Sequence, residues 1–230
     1  MSRAVAVVAN QVFLGLPWRI IRRKYEKCRT KLKFVSPLSY AIVGSSGRQR
    51  AEDLLEVIKK RLLSSSYAIF DATGGNANVA LEYGFAEAKG IDRALYLYTH
   101  AAAKKPSKDS PIIADLAGKR RNHYKRQDQL LQLLQANSKA HPYTRRFERA
   151  FDTGYERAER GRKRRDKALG LKIIHVLDGK EAVRRGEIVK ALLRDPAKYD
   201  RDEIDAVIDR LRAKRLLAAG KTSRSRVAIR

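Results

Sequence analysis

The first 136 residues alternate short apolar runs with helix-length stretches, and this alternation restricts the fold more than any other feature. Runs at Val12–Leu16, Tyr40–Val43, Tyr67–Asp71 and Ala94–Tyr98 are rich in β-branched or aromatic residues and read as buried strands. Helical stretches separate or follow them at residues 19–33, 50–63, 78–89 and 126–135. Leu54, Leu55, Ile58 and Leu62 sit at helical spacing in the second, and Val79, Leu81, Tyr83, Phe85 and Ala86 make the third dense enough for a buried helix. The expectation is an α/β domain over residues 1–136, with a parallel sheet and helices on both faces. Ligands of such sheets bind beyond the carboxyl ends of the strands.

The segment after the third run is the sharpest in the chain. It reads Asp71-Ala72-Thr73-Gly74-Gly75-Asn76-Ala77-Asn78-Val79-Ala80-Leu81-Glu82. Gly74 and Gly75 allow a tight turn at a strand end. Asn76 or Asn78 can cap the next helix, whose N-terminus favours anions. Glu82 falls about one turn into that helix, an acid in an apolar stretch, where a carboxylate without a partner is costly. A capping or salt-bridging glutamate is the structural alternative. Gly44, Ser45, Ser46, Gly47 and Arg48 follow the second run and are read as a phosphate-holding turn or as a plain strand–helix turn. Trp18, after Pro17, can stack on a base or pack at the rim.

The pattern Asn-x-Asn-Val-x-x-Glu-x-Gly-x-Ala, after a strand ending in Asp, resembles the nucleoside 2-deoxyribosyltransferase-like and TIR-like nucleotide domains of bacteria. Val12-Phe13-Leu14-Gly15-Leu16-Pro17 is similar to their first strand and ligand loop. Asp115-Leu116-Ala117-Gly118 with Tyr124 is similar to their late loop and last strand. The resemblance covers about residues 10–136 and implies a flavodoxin-like sheet and chemistry at an N-glycosidic bond. In those families the motif glutamate attacks the sugar C1 or holds the ribose hydroxyls, a role that falls to Glu82 by matching. Gly15, Leu16, Trp18, Asp71, Thr73, Gly74, Gly75, Asn76 and Asn78 would form the ligand pocket with the Gly44–Arg48 turn. Ala77 replaces the proline usual there, and residues 19–33 are far more basic than the family pattern. No cofactor is expected; NAD or another nucleotide would be substrate or ligand. The resemblance also implies a place in bacterial defence.

Charge extends the reading to polyanions. Lys and Arg number 51 against 25 Asp and Glu, a formal net charge of +26, and the excess divides evenly between residues 1–130 and 131–230. Such a chain is attracted to nucleic acid and phosphorylated ligands. The lone Cys28 excludes an internal disulfide and fits a reducing compartment. Without an apolar run of spanning length, and with Asn10 and Gln11 interrupting the apolar Ala4–Ala9, neither a membrane span nor a signal peptide is read, so a cytoplasmic protein is expected. His100, His123, His141 and His175 are scattered, and no metal is expected.

Residues 137–168 read as a basic connector, opening with a linker at Asn137–Thr144, and Gly161 argues against one continuous helix there. Residues 169–230 then read as three helices followed by a hairpin, the order of a winged helix. Asp200 and Glu203 have the spacing of a capping box, and Ile204, Val207, Ile208 and Leu211 form an amphipathic stripe. Arg162, Lys163, Arg164, Arg165, Arg184, Arg185, Lys221 and Arg224 are the candidate nucleic-acid contacts. The third helix is rich in acids, so it is expected to read little sequence.

Together these readings predict a nucleotide-binding domain that cleaves an N-glycosidic bond, joined to a winged helix that meets DNA, RNA or a protein partner. The alternative is a non-catalytic, nucleotide-sensing transcriptional regulator. A further reading for the C-terminal region is a dimerisation module, which would make the chain a homo-oligomer.

Overall fold

The computed structural model describes residues 5–42, 51–99, 119–156, 159–180, 182–220 and 223–230. The chain divides into two compact units, one of residues 1–30 and 40–135, the other of residues 31–39 and 136–230.

The first unit is α/β. Its strands are β1 (Val8–Gly15), β2 (Ser39–Ile42), β3 (Ser65–Asp71), β4 (Arg93–Tyr98) and β5 (Arg121–Tyr124). Its helices are α1 (Trp18–Leu32), α2 (Ala51–Leu63), α3 (Ala77–Ala88) and α4 (Gln127–Ala140). The sheet order is β2-β1-β3-β4-β5. β1 with β3, β3 with β4, and β4 with β5 all pair parallel. This is the 2-1-3-4-5 order of flavodoxin-like sheets. β1 begins four residues before the apolar run because Gln11 is buried with partners. Its Nε2 donates to Ser64 Oγ at 3.0 Å and to Ser65 Oγ at 2.9 Å, and Arg61 Nη1 donates to its Oε1 at 3.2 Å. β5 has no apolar run; the sequence Arg-Asn-His-Tyr buries only Tyr124 fully.

Side-chain alternation gives the sheet two unlike faces. On one, Phe13, Ala68, Phe70 and Leu95 pack with Leu62 of α2 and with Val79, Tyr83 and Ala86 of α3. The other carries tyrosines bonded to α1 and α4. Tyr96 Oη donates to Leu133 O at 3.3 Å, Tyr40 Oη to Leu134 O at 3.4 Å, and Tyr25 of α1 reaches Asp71.

The second unit contains α5 (Pro142–Asp152), α6 (Arg160–Val176), β6 (Val183–Arg184), α7 (Arg185–Leu192), α8 (Arg201–Ala213), β7 (Leu217–Gly220) and β8 (Ser223–Ile229). Its antiparallel sheet has the order β6-β8-β7. The region read as a connector holds the end of α4, all of α5 and the first half of α6. The linker-like Asn137–Thr144 contains the end of α4, a cap and the start of α5. His141 Nδ1 accepts from Tyr143 N at 3.2 Å, and Pro142 takes the first helical position, where its missing N–H costs nothing. Tyr143, Phe147, Ala150 and Phe151 are buried, an apolar stripe hidden among charges. α6 runs unbroken through Gly161. Gly170 lets it approach α5: a Cβ there would lie 2.7 Å from Phe151 Cζ. The capping box forms as expected, with Asp200 Oδ1 accepting from Glu203 N at 2.7 Å and Glu203 Oε2 from Asp200 N at 3.0 Å.

Candidate functional site

In a 2-1-3-4-5 sheet the chain leaves β1 toward one edge and β3 toward the other, which opens a crevice at their carboxyl ends. Gly15, the last residue of β1, pairs with Phe70 of β3 at that point. A Cβ on Gly15 would lie 2.4 Å from Phe70 Cδ1 and 2.7 Å from Glu82 Oε2, so the Glu82 carboxylate rests against the end of β1 in space that only glycine leaves open.

α3 positions Glu82. Asn76 caps the helix, its Oδ1 accepting from Asn78 N at 3.0 Å and Val79 N at 3.2 Å. Val79, Tyr83 and Ala86 fix the helix on the sheet, and the ring of Tyr83 meets that of Phe70 edge-on at 5.5 Å between centroids. Among the described residues no hydrogen-bond donor or cation partners Glu82. Burial alone raises its pKa to about 7. Near neutral pH it is poised between acid and base, a condition that suits proton transfer or the stabilisation of a developing cation.

Asp71 is on the other face, at the end of β3. Tyr124 Oη donates to its Oδ2 at 2.7 Å and Tyr25 Oη at 2.9 Å; Thr73 N donates to Oδ1 at 3.0 Å, joined by Thr73 Oγ1. Burial still outweighs these bonds and raises its pKa. Burial, together with the Asp71 charge, also pushes both tyrosines up. Thr73 Oγ1 additionally accepts from Tyr98 N at 2.9 Å. Asp71 and Thr73 thus lock the ends of β3, β4 and β5 to α1.

The remaining expected ligand residues divide in the same way. Gly74 and Gly75 have φ of 72° and 61°, the left-handed conformation the turn requires, and Ile20 Cδ1 covers Gly74. Asn78 is exposed at the start of α3, and Leu16 is half-buried after β1. Trp18 is half-buried, with the Arg22 guanidinium 3.5 Å over its ring, so one ring face is taken. Gly44, Ser45, Ser46 and Arg48 lie outside the described residues, as do Val43, Asp115–Gly118 and His100. The sequence reading missed Tyr25, and it placed Tyr124 in a last strand without its bond to Asp71. Ile21, Tyr25, Cys28 and Leu32, all buried, form a helical stripe that could have placed Tyr25 inward. Among the described residues no group of three or more His, Cys, Asp or Glu is arranged to hold a metal, and no helix is long and apolar enough to cross a membrane.

In the second unit the candidate cations fall into engaged and open groups. Arg165 forms a two-pronged bond to Glu203, Nε–Oε1 at 2.7 Å and Nη2–Oε2 at 2.9 Å, and also reaches Lys198 O at 3.0 Å. Arg185 clamps Asp209 at 2.8 and 2.9 Å and bonds Asp205 as well. These two arginines tie α8 to α6 and α7. They also engage three of the acids on α8. Lys163 pairs with Asp152 at 3.1 Å and Arg162 with Glu159 at 3.3 Å. Arg164 and Arg184 are exposed, with no ion pair among the described residues. Arg224 belongs to β8; Lys221 and Arg157 lie outside the described residues.

No protein-family model matches the chain, and no curated protein matches it. Among solved structures it is similar to a conserved protein from Enterococcus faecalis V583, known from a crystal structure. The two are 15% identical, and the match covers 56% of this chain and 98% of that one with a TM-score of 0.33. A likeness that distant carries no argument about function.

Proposed function

We propose that the α/β unit is a TIR-like or deoxyribosyltransferase-like domain that binds a nucleotide at the β1/β3 crevice and cleaves its N-glycosidic bond. The observation that carries this reading is Glu82, half-buried and without a partner among the described residues, with its carboxylate against Gly15 where such sheets bind ligands. Breaking the bond between the sugar C1′ and the base nitrogen builds positive charge on the ring. An ionised Glu82 stabilises that charge. Water then adds to C1′ and loses a proton, and the base departs with the bonding electron pair. The exposed Asn78 amide and the Gly74–Gly75 turn would orient the ligand, while Asp71, Thr73 and Asn76 hold the scaffold. NAD or a related nucleotide is the substrate class, and a role in bacterial defence follows from the resemblance alone.

We read the C-terminal unit as a winged helix. Its order α6-β6-α7-α8-β7-β8, with β8 between β6 and β7, supports that assignment. Its open cations, Arg164 and Arg184, would meet the phosphate backbone of DNA or RNA. The same element order favours the second reading, a non-catalytic sensor in which nucleotide binding alters nucleic-acid binding.

The test is incubation of the full chain with NAD, nucleosides and nucleotides, with and without DNA, followed by chromatography for free base. Base release is the expected result. A nucleotide that binds intact and shifts the affinity for a duplex would establish the sensor in its place.

A further inference from the structure

α1 carries seven basic residues and one acid, Glu26. Two of the cations have local partners. Arg22 bonds Glu26 at 2.6 Å while lying over Trp18, and the Lys24 ammonium sits 4.9 Å from the ring centre of Tyr98. Arg19, Arg23 and Lys27 are different: each is exposed, and none has an ion-pair partner among the described residues. They follow one another at four-residue spacing and so form one row along the helix. Like charges at this spacing repel. Cations in the first turn also oppose the helix dipole, and no acid is present there to offset them. The helix is held by its buried stripe, Ile21, Tyr25 and Cys28, and not by its surface. Stability gives no reason for the row, which leaves a partner as its physical explanation.

We propose that Arg19, Arg23 and Lys27 are a docking row for the sugar–phosphate backbone of a nucleic-acid duplex. At 1.5 Å per residue the row spans about 12 Å. One DNA strand presents a phosphate about every 3.4 Å along its axis, so the row covers about three or four of them. An anionic membrane fits less well, because surface-bound helices insert an apolar face and the apolar stripe of α1 is turned into the protein. Ile20, half-exposed, lies against Gly74. This site belongs to the α/β unit and does not depend on Glu82 chemistry or on the winged-helix reading.

The experiment is a salt titration of the full chain on two unrelated labelled duplexes, over about 50 to 200 mM salt. Wild type is compared with Arg19→Gln/Arg23→Gln/Lys27→Gln, with Arg19→Lys/Arg23→Lys, and with Arg164→Gln/Arg184→Gln. The triple glutamine variant should flatten the log–log slope by about 0.9 per contact, up to about 2.7, or about 40-fold less weakening over that fourfold range. Both duplexes should respond alike, and the lysine variant should keep the wild-type slope. A triple variant that melts at or above the wild-type temperature and keeps the wild-type slope overturns the proposal. So does a slope that responds only to Arg164→Gln/Arg184→Gln, a result that leaves the winged-helix reading standing. Loss of binding to phosphatidylserine vesicles with duplex binding unchanged overturns it in favour of a membrane. No duplex binding by wild type at the lowest salt also overturns it.

Discussion

Asp71 and Glu82 lie at the same end of one sheet, on its two faces, and burial raises the pKa of both. Asp71 accepts four hydrogen bonds, whereas Glu82 has none among the described residues. A carboxylate bonded on all sides is a fastening: its removal leaves several buried donors unsatisfied. One that is desolvated without compensation stores a cost, and such groups cluster where chemistry is done. The tyrosine face fastens the sheet, and the chemistry proposed for this domain falls on the phenylalanine face.

The largest effect that tests this contrast is on stability. Asp71→Ala leaves the hydroxyls of Tyr25 and Tyr124 and both donors of Thr73 without their acceptor. The expected loss is about 3 to 5 kcal/mol, read as a lower urea midpoint. An Asp71→Ala protein as stable as wild type would show that those bonds hold nothing. A smaller effect comes from Gly15→Ala. The new methyl would meet the Phe70 ring and Glu82 Oε2 and should cost about 1 to 3 kcal/mol in stability. It should also displace Glu82, lowering base release by more than the fraction unfolded accounts for. Activity that falls only with folding would separate Gly15 from the site.

Much of this arrangement was legible in the sequence. The four apolar runs, the glycine turn after Asp71, the Asn76 cap and Glu82 on the following helix are all local signals, with backbone reasons visible in neighbouring residues. What was hidden depends on partners distant in the chain. Gln11 looked like an interruption because Arg61, Ser64 and Ser65, which satisfy it, come fifty residues later. The bonds of Asp71 were hidden because Tyr25 and Tyr124 are brought to it only by the fold. Residues 137–168 read as a connector because their charge concealed the spacing of Tyr143, Phe147 and Phe151. The acids of α8 looked available to repel phosphate, yet Arg165 and Arg185 engage three of them.

The most direct test of the central claim is Glu82→Gln measured across pH for both stability and base release. A folded-state pKa of about 7 against the ordinary 4.5 means that the folded protein binds this proton more tightly than the unfolded chain. The destabilisation is therefore absent below about pH 4.5, grows between 4.5 and 7, and is complete above 7. Glu82→Gln should leave stability unchanged at acid pH and raise it at about pH 8, by up to roughly 3 kcal/mol. Wild-type base release should rise with pH through about 7 as Glu82 ionises, and the variant should lose about 100- to 1000-fold. A folded Glu82→Gln protein that releases base at the wild-type rate, with no gain in stability above pH 7, would contradict the account.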